Sequence, residues 1–260
     1  MKKLGRCKLC NQDQVQLVKG HIVPDFLYQR IRAKGLLKTY VQSNPKAKNF
    51  GQFTYDKPGT GWYDYMFCNN CDCIILKQYE DYTAPILKHL FALDPKHFPN
   101  GLVPGQNIDY APFKRFFLAI IYKTAMHTRP DIPHLDLKPK YCEEIRKYLL
   151  DPKLEIPEEY CPILLYWVPK DETISEVIKL PYYHYDENLK DYVCIFMMGE
   201  IMMYCPITAT RAPLAVVKNS IQKAGTLFVT IHNGPFAQKT YDHMLAHLAN
   251  TQRKLTDPSV

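Results

Sequence analysis

Cys7-Lys-Leu-Cys10 and Cys68-Asn-Asn-Cys71 are the two stretches that decide how the N-terminal part of this chain folds. Each carries two cysteines separated by two residues, a spacing with which a pair of thiolates wraps one side of a tetrahedral metal ion. Together they supply four sulfur ligands, which favours Zn²⁺ in a structural site without an open coordination position. Such a site would clamp two distant segments together and contribute folding energy. We therefore predict a zinc centre formed by these four cysteines.

Disulfides account for the cysteines less well than a metal does. The chain has 9 cysteines, an odd number, and no apolar signal-peptide segment follows the first five residues. Coincidental spacing in a cysteine-rich chain and a redox dithiol are the alternatives to a metal site. Because the apolar runs are far shorter than a membrane span, we expect an intracellular, cytoplasmic protein without a membrane partner.

The composition is that of a globular protein with an uneven charge distribution. Of 260 residues, 47% are hydrophobic and 23% charged, which excludes disordered, collagen-like and coiled-coil chains. The formal net charge is +7, and the first 60 residues hold 12 basic against 3 acidic side chains, whereas residues 101–260 hold 18 of each. This excess indicates a local surface for a polyanion, with a basic face that only keeps the protein soluble as the alternative.

Hydrophobic patterns predict the elements around the cysteine pairs. Residues 15–24 have the composition of a strand, and 25–34 the spacing and end residues of a helix. A hairpin over 52–67 would deliver the chain to the second cysteine pair. From there the spacing predicts a helix over 72–93, with Pro85 expected to kink or interrupt it.

The C-terminal part has a mixed pattern. A segment rich in Pro, Gly and Asn coincides with the change in charge, so we predict two domains, residues 1–100 and 101–260. The fold class is therefore expected to be α+β. The predicted elements of the second domain are helices over 111–127, 140–150 and 236–249 and strands over 163–168, 173–180, 192–198, 201–204 and 225–232.

The order of the N-terminal motifs resembles a known family. A cysteine pair, a strand ending in His21-Ile-Val-Pro24, a hairpin and a second cysteine pair that opens a helix resemble the zinc-stapled HNH branch of the His-Me finger (ββα-metal) endonucleases. The resemblance covers roughly residues 5–85. It implies a zinc-bound ββα-metal-like module, followed here by the α+β domain. It also implies a bacterial or phage setting, such as a defence effector.

The resemblance further implies a nuclease that hydrolyses DNA with one divalent cation. His21 would be the general base that takes a proton from water, and histidine exchanges protons near neutral pH. Mg²⁺ or Mn²⁺ would lie against the scissile phosphate. The alternative for His21 is a residue that caps or packs within the zinc module.

Two positions depart from the family pattern. Gly20 stands where the family has an Asp or His metal ligand, and Asp72 follows the second cysteine pair where a His or Asn is common. Glu80 lies eight residues after Asp72, on about the same helix face. These two carboxylates could rebuild the metal site, or they could be ordinary acids on a helix surface.

The predicted partner is nucleic acid, with DNA favoured and RNA left open. Phosphate contacts from basic side chains, with Tyr28 and Tyr40 interleaved, would position the substrate. A binding module whose nuclease site has decayed, and a protein-interaction module, are the alternative functions. The second domain would recruit a protein partner or form a homodimer. The candidate nucleic-acid-binding residues are Lys19, Arg30, Arg32, Lys34, Lys38, Lys46 and Lys48.

Overall fold

The computed structural model describes most of the chain outside three long gaps. The described residues are 3–33, 61–94, 97–98, 102–105, 107–130, 132, 134–167, 178–186, 189, 191–207, 212, 214–225 and 227–231. The architecture is mixed α+β with two sheets, which agrees with the predicted fold class.

A three-stranded antiparallel sheet forms the N-terminal part. Its strands are β1 (Lys3–Gly5), β2 (Val15–His21) and β3 (Tyr63–Cys68), and β2 lies in the middle. The predicted strand over 15–24 is confirmed up to His21. The second arm of the predicted hairpin is β3, which pairs with β2, whereas the first arm lies outside the described residues.

Helices frame this sheet. Helix α1 spans Asp25–Ala33, as the pattern predicted. After β3 the chain forms a π-helix over Asn70–Leu76, which continues as α2 (Lys77–Ala92). The predicted interruption at Pro85 was wrong, because α2 runs through this residue without a break.

The second sheet has six strands, in the order β4-β9-β5-β8-β7-β6. All its pairs are antiparallel except the parallel pair of β5 with β9. Successive residues of its central strands alternate between two hydrophobic clusters, so both faces of the sheet are covered. The strands are β4 (Leu102–Gly105), β5 (Leu164–Trp167), β6 (Ile178–Asp186), β7 (Asp191–Met198), β8 (Ile201–Pro206) and β9 (Leu227–Ile231).

Helix α3 (Tyr110–Met126) occupies the centre of the molecule. It is buried on nearly every side, as expected for a helix that is apolar all round, and it packs against α2, α4 (Pro139–Leu150) and β6. A continuous hydrophobic core includes residues of both sheets. The division into domains at residue 100 stays a prediction.

The remaining differences from the sequence patterns are local. Strand β6 continues through Pro181 to Asp186 because a register shift between Lys179 and Tyr182 absorbs the proline. The pattern missed β4 and the short helix α5 (Leu214–Asn219). The predicted helix over 236–249 lies outside the described residues.

A buried carboxylate joins β3 to the segment after α3. Asp64 is 4% exposed and accepts hydrogen bonds from the Thr128 amide at 2.7 Å, the Thr128 hydroxyl at 3.0 Å and the Tyr65 amide at 2.7 Å. Burial alone would raise its pKa, but these hydrogen bonds outweigh burial and lower it. The ionised form is therefore the one that holds the two segments together.

We predict that Asp64→Asn lowers the free energy of unfolding by about 1.5–3 kcal/mol, because its amide cannot accept all three bonds. Because the native pKa is lowered, the advantage of the wild type is present at neutral pH and shrinks as the pH falls below about 4. Urea unfolding at several pH values measures both effects. Asp81→Asn, at an exposed position of α2, is the control and should change stability by less than about 0.5 kcal/mol. A difference that persists undiminished in acid would contradict the ionised role of Asp64.

Candidate metal centre and adjoining pocket

The four cysteines of the two motifs meet at one point. The Sγ atoms of Cys7, Cys10, Cys68 and Cys71 all lie within 4.8 Å of one another, and those of Cys10 and Cys68 are 3.9 Å apart. A tetrahedral zinc ion with Zn–S bonds of about 2.3 Å requires S–S distances of about 3.8 Å. This four-cysteine cluster could therefore hold a metal ion such as zinc. All four residues are free thiols, which agrees with the expectation that they do not form disulfides.

Local backbone geometry prepares the cluster for metal. The Asn11 amide donates to the Cys7 carbonyl in a tight turn, where Asn11 has a positive φ of 61°. The Cys68 amide donates to Cys7 Sγ at 3.3 Å. A hydrogen bond from Cys71, together with backbone amides, holds the pKa of the Cys7 thiol well below its usual value, although burial opposes this shift. A thiolate is the form that binds metal.

Residues far along the chain hold the first cysteine turn in place. The Tyr122 hydroxyl donates to the Lys8 carbonyl, and Lys8 Nζ donates to the Met126 carbonyl. Arg146 Nη1 of α4 donates to the Leu9 carbonyl at 2.9 Å. The four-cysteine cluster is thus anchored to α3 and α4 as well as to its own sheet.

A pocket of about 410 Å³ opens beside the cluster, where the end of β2, α1, the π-helix, α2 and α3 meet. We call it the His21 pocket. His21, Asp72 and Glu80, the three residues predicted to be catalytic, all line it. The side chain of His21 is about one-third exposed, and its Nε2 lies 4.0 Å from Asp25 Oδ1. The three side chains thus line one pocket, whereas among the described residues the four cysteines form the one group of three or more ligands close enough to share an ion.

Asp72 fills the space beside Gly20. A Cβ atom on Gly20 would lie 2.5 Å from Asp72 Oδ2, closer than side-chain contacts allow. The carboxylate therefore occupies the place where a larger residue before His21 would carry its side chain. The wide turns of a π-helix often occur at functional sites.

Lys123 is the residue of the His21 pocket that sequence reasoning missed. Its side chain is only 3% exposed, and its Nζ lies 3.0 Å from Glu80 Oε1 and 3.6 Å from Asp72 Oδ1. Burial disfavours its charge, but Glu80 and Asp72 outweigh burial and raise its pKa. The apolar residues of its helix are typical of a helix in the hydrophobic core. The available signal was a lysine within that apolar run, but the sequence could not show which acids it meets.

The donor set suits a hard divalent cation. Asp72 and Glu80 offer carboxylate oxygens, the ligands that Mg²⁺ and Mn²⁺ prefer. Asp72 Oδ1 is buried and accepts no hydrogen bond, and the nearest cationic group is the Lys123 ammonium at 3.6 Å. The side chains of Asp72 and Glu80 are 14% and 23% exposed and so remain open to the pocket.

The predicted nucleic-acid-binding residues are only partly described. Lys19 lines the pocket, with its Nζ 3.5 Å from the centre of the Tyr63 ring. Tyr28 is 1% exposed beneath Gly61, so the expectation that it contacts nucleic acid was wrong. The side chains of Arg30 and Arg32 lie outside the described part of the structure, as do Lys34, Lys38, Tyr40, Lys46 and Lys48.

Comparison with known proteins found no match for this chain. No protein-family model matches the chain, and neither a curated protein nor a solved structure matches it. Among the described helices, none combines the length and the apolar character needed to cross a membrane.

We predict that the protein binds one zinc ion per chain and that Cys68→Ser loses it on dialysis. Loss of a residue that only hydrogen-bonds to a metal ligand weakens metal binding by about 10- to 100-fold. Loss of a ligand itself should weaken zinc binding by more than this. Elemental analysis and thermal unfolding measure the effect. Cys73→Ser, at an exposed cysteine of the same π-helix, is the matched control. Equal zinc content in all three proteins would contradict the predicted centre.

We further predict that Gly20→Ala destabilises the fold because the new methyl group displaces the Asp72 carboxylate. A double-mutant cycle tests the contact, since Asp72→Ala removes the group that clashes. Gly20→Ala should then cost less in the Asp72→Ala background, with a coupling energy of about 0.5–3 kcal/mol. Gly5→Ala, whose Cβ would meet only the movable Leu17 side chain at 3.0 Å, should show no such coupling. Simple additivity for Gly20 and Asp72 would rule out the contact.

Proposed function

We propose that the chain is an HNH-like, metal-dependent endonuclease that hydrolyses DNA phosphodiester bonds with His21 as general base. The observation that carries this proposal is the presence of His21, Asp72 and Glu80 in one pocket. A histidine and two carboxylates are the groups needed to activate water and to hold a divalent cation. Zinc in the four-cysteine cluster would have a structural role.

The chemistry follows from these positions. His21 would take a proton from a water molecule while the water oxygen attacks phosphorus. The bond to the leaving sugar oxygen would break, and that oxygen would take a proton from solvent. Asp25 lies 4.0 Å from His21 Nε2, so its negative charge would stabilise the imidazolium that forms. Mg²⁺ or Mn²⁺ held by Asp72 and Glu80 would supply charge stabilisation at the phosphate.

Basic side chains next to the pocket support a polyanionic substrate. Lys19 and Arg129 both contact the ring of Tyr63, with Lys19 Nζ at 3.5 Å and Arg129 Cζ at 5.2 Å from its centre. This pair of positive charges lies next to the His21 pocket, since Lys19 also lines the pocket. Phosphate contacts of this kind position a nucleic acid without reading its sequence.

A binding module without nuclease activity is the second candidate. The observation in its favour is Lys123, which already neutralises part of the charge on Asp72 and Glu80. An ammonium group that permanently replaced the metal would leave a zinc-stapled module that binds DNA without cutting it. A protein-interaction module, the third alternative, predicts no salt-dependent DNA binding.

We predict that zinc-replete protein nicks supercoiled plasmid in Mg²⁺ or Mn²⁺ and that His21→Ala slows nicking by about 10²- to 10⁴-fold, because the general base is lost. DNA binding, measured in the same samples by fluorescence anisotropy, should be retained. His89→Ala, at an exposed position near the end of α2, is the matched histidine control and should nick at the wild-type rate.

The outcomes separate the three functions. Nicking that persists in His21→Ala would contradict the assigned base. Salt-dependent DNA binding without nicking in any of the proteins would favour the binding module. Neither binding nor nicking would favour the interaction module.

A further inference from the structure

Resting on the proposed nuclease activity, we infer that Lys123 makes divalent-cation binding at Asp72 and Glu80 depend on a bound phosphodiester. Lys123 comes from α3, outside the segment that resembles the HNH family. It acts on the metal site as a positioning residue that sets the charge between the two carboxylates.

The first step is geometric. Lys123 Nζ lies within 3.6 Å of oxygens of both carboxylates, and its side chain is almost completely buried. Its neighbours on α3, Tyr122 and Thr124, are buried too, so the backbone at Lys123 is held in the interior, and the two ion pairs hold the ammonium beside the carboxylates. The ammonium therefore remains beside Asp72 and Glu80 when another cation enters from the pocket side.

The second step is a comparison of charges. Two carboxylates and one ammonium group have a net charge of −1, whereas the same site without Lys123 would have −2. A divalent cation alone would leave the natural site with a net charge of +1 in a partly buried pocket, where an unbalanced charge is poorly solvated. The other charged side chains that line the pocket sum to +1, so they do not supply a balancing negative charge; they are Lys19, Asp25, Lys77, Asp81 and Lys88. Lys77 is exposed and pairs with Asp81.

The third step concerns the substrate. A phosphodiester carries one negative charge, which balances the site once the divalent cation is bound. Cation and phosphodiester should therefore each strengthen the binding of the other by the same factor. Such coupling would keep the metal site poorly occupied until nucleic acid arrives.

The test measures binding with full-length, zinc-replete protein. Mn²⁺ is titrated with and without a DNA oligonucleotide whose phosphorothioate linkages resist hydrolysis, and free Mn²⁺ is counted by electron paramagnetic resonance. Oligonucleotide affinity is measured in parallel by fluorescence anisotropy, with and without Mn²⁺ at constant ionic strength. Wild type, Lys123→Met and the control Lys77→Met are compared.

For the wild type, we expect weak Mn²⁺ binding alone and at least about 10-fold tighter binding with the oligonucleotide. Lys123→Met should bind Mn²⁺ alone at least about 10-fold more tightly than the wild type and show less coupling. Lys77→Met should behave like the wild type. If Lys123→Met does not fold, Lys123→Gln, which removes the charge and keeps a polar group, takes its place in both titrations.

Wild-type Mn²⁺ affinity that is equal with and without oligonucleotide would overturn the inference, as would unchanged coupling in folded Lys123→Met. Plasmid nicking together with DNA-independent Mn²⁺ binding would overturn the role of Lys123 alone. Coupled binding without plasmid nicking would contradict hydrolysis and support the role of Lys123. No Mn²⁺ binding under either condition would overturn both proposals.

Discussion

The candidate site depends on the convergence of four thiols. Two of them come from a turn near the N-terminus and two from the junction of β3 with the π-helix. Cys68 is the last residue of β3, and Cys71 lies in the first turn of the π-helix. Asp72 follows directly, so its position is fixed by the residue that would bind the metal. The same strand pairing that brings Cys68 beside Leu17 also brings Gly20 and His21 to the pocket. The four-cysteine cluster and the His21 pocket are thus two consequences of one local arrangement.

The buried helix α3 connects this arrangement to the rest of the molecule. Tyr122 contacts the first cysteine turn, and the next residue, Lys123, contacts the acids of the pocket. Buried cationic side chains of α3 find hydrogen-bond acceptors within the described structure. Lys114 donates to the Pro157 carbonyl at 2.9 Å, and Arg115 Nε donates to the Tyr148 carbonyl at 2.8 Å. A helix that looks like simple core therefore also sets the charge of the site.

Local patterns in the sequence predicted much of the fold and part of the site. The cysteine spacing predicted the cluster because both pairs are short motifs, and helical periodicity located α1, α3 and α4. Non-local features escaped prediction. The parallel pairing of β5 with β9 depends on how distant segments meet.

The same limit applies to the site. The position of the Asp72 carboxylate beside Gly20 depends on a contact between residues about 50 positions apart, and the partners of Lys123 depend on the packing of α3 against α2. Spacing along the chain placed Asp72 and Glu80 on one helix face. The spacing could not reveal that the Lys123 ammonium lies beside both carboxylates.

The most direct test of the central claim is a crystal structure of the zinc-replete protein with Mn²⁺ and an uncleaved DNA oligonucleotide, with anomalous scattering recorded at the zinc and manganese absorption edges. The account predicts zinc within the four-cysteine cluster and manganese bound by Asp72 and Glu80, with a phosphate of the DNA between the metal and His21. Manganese absent from the pocket, or DNA bound on another face of the protein, would contradict it.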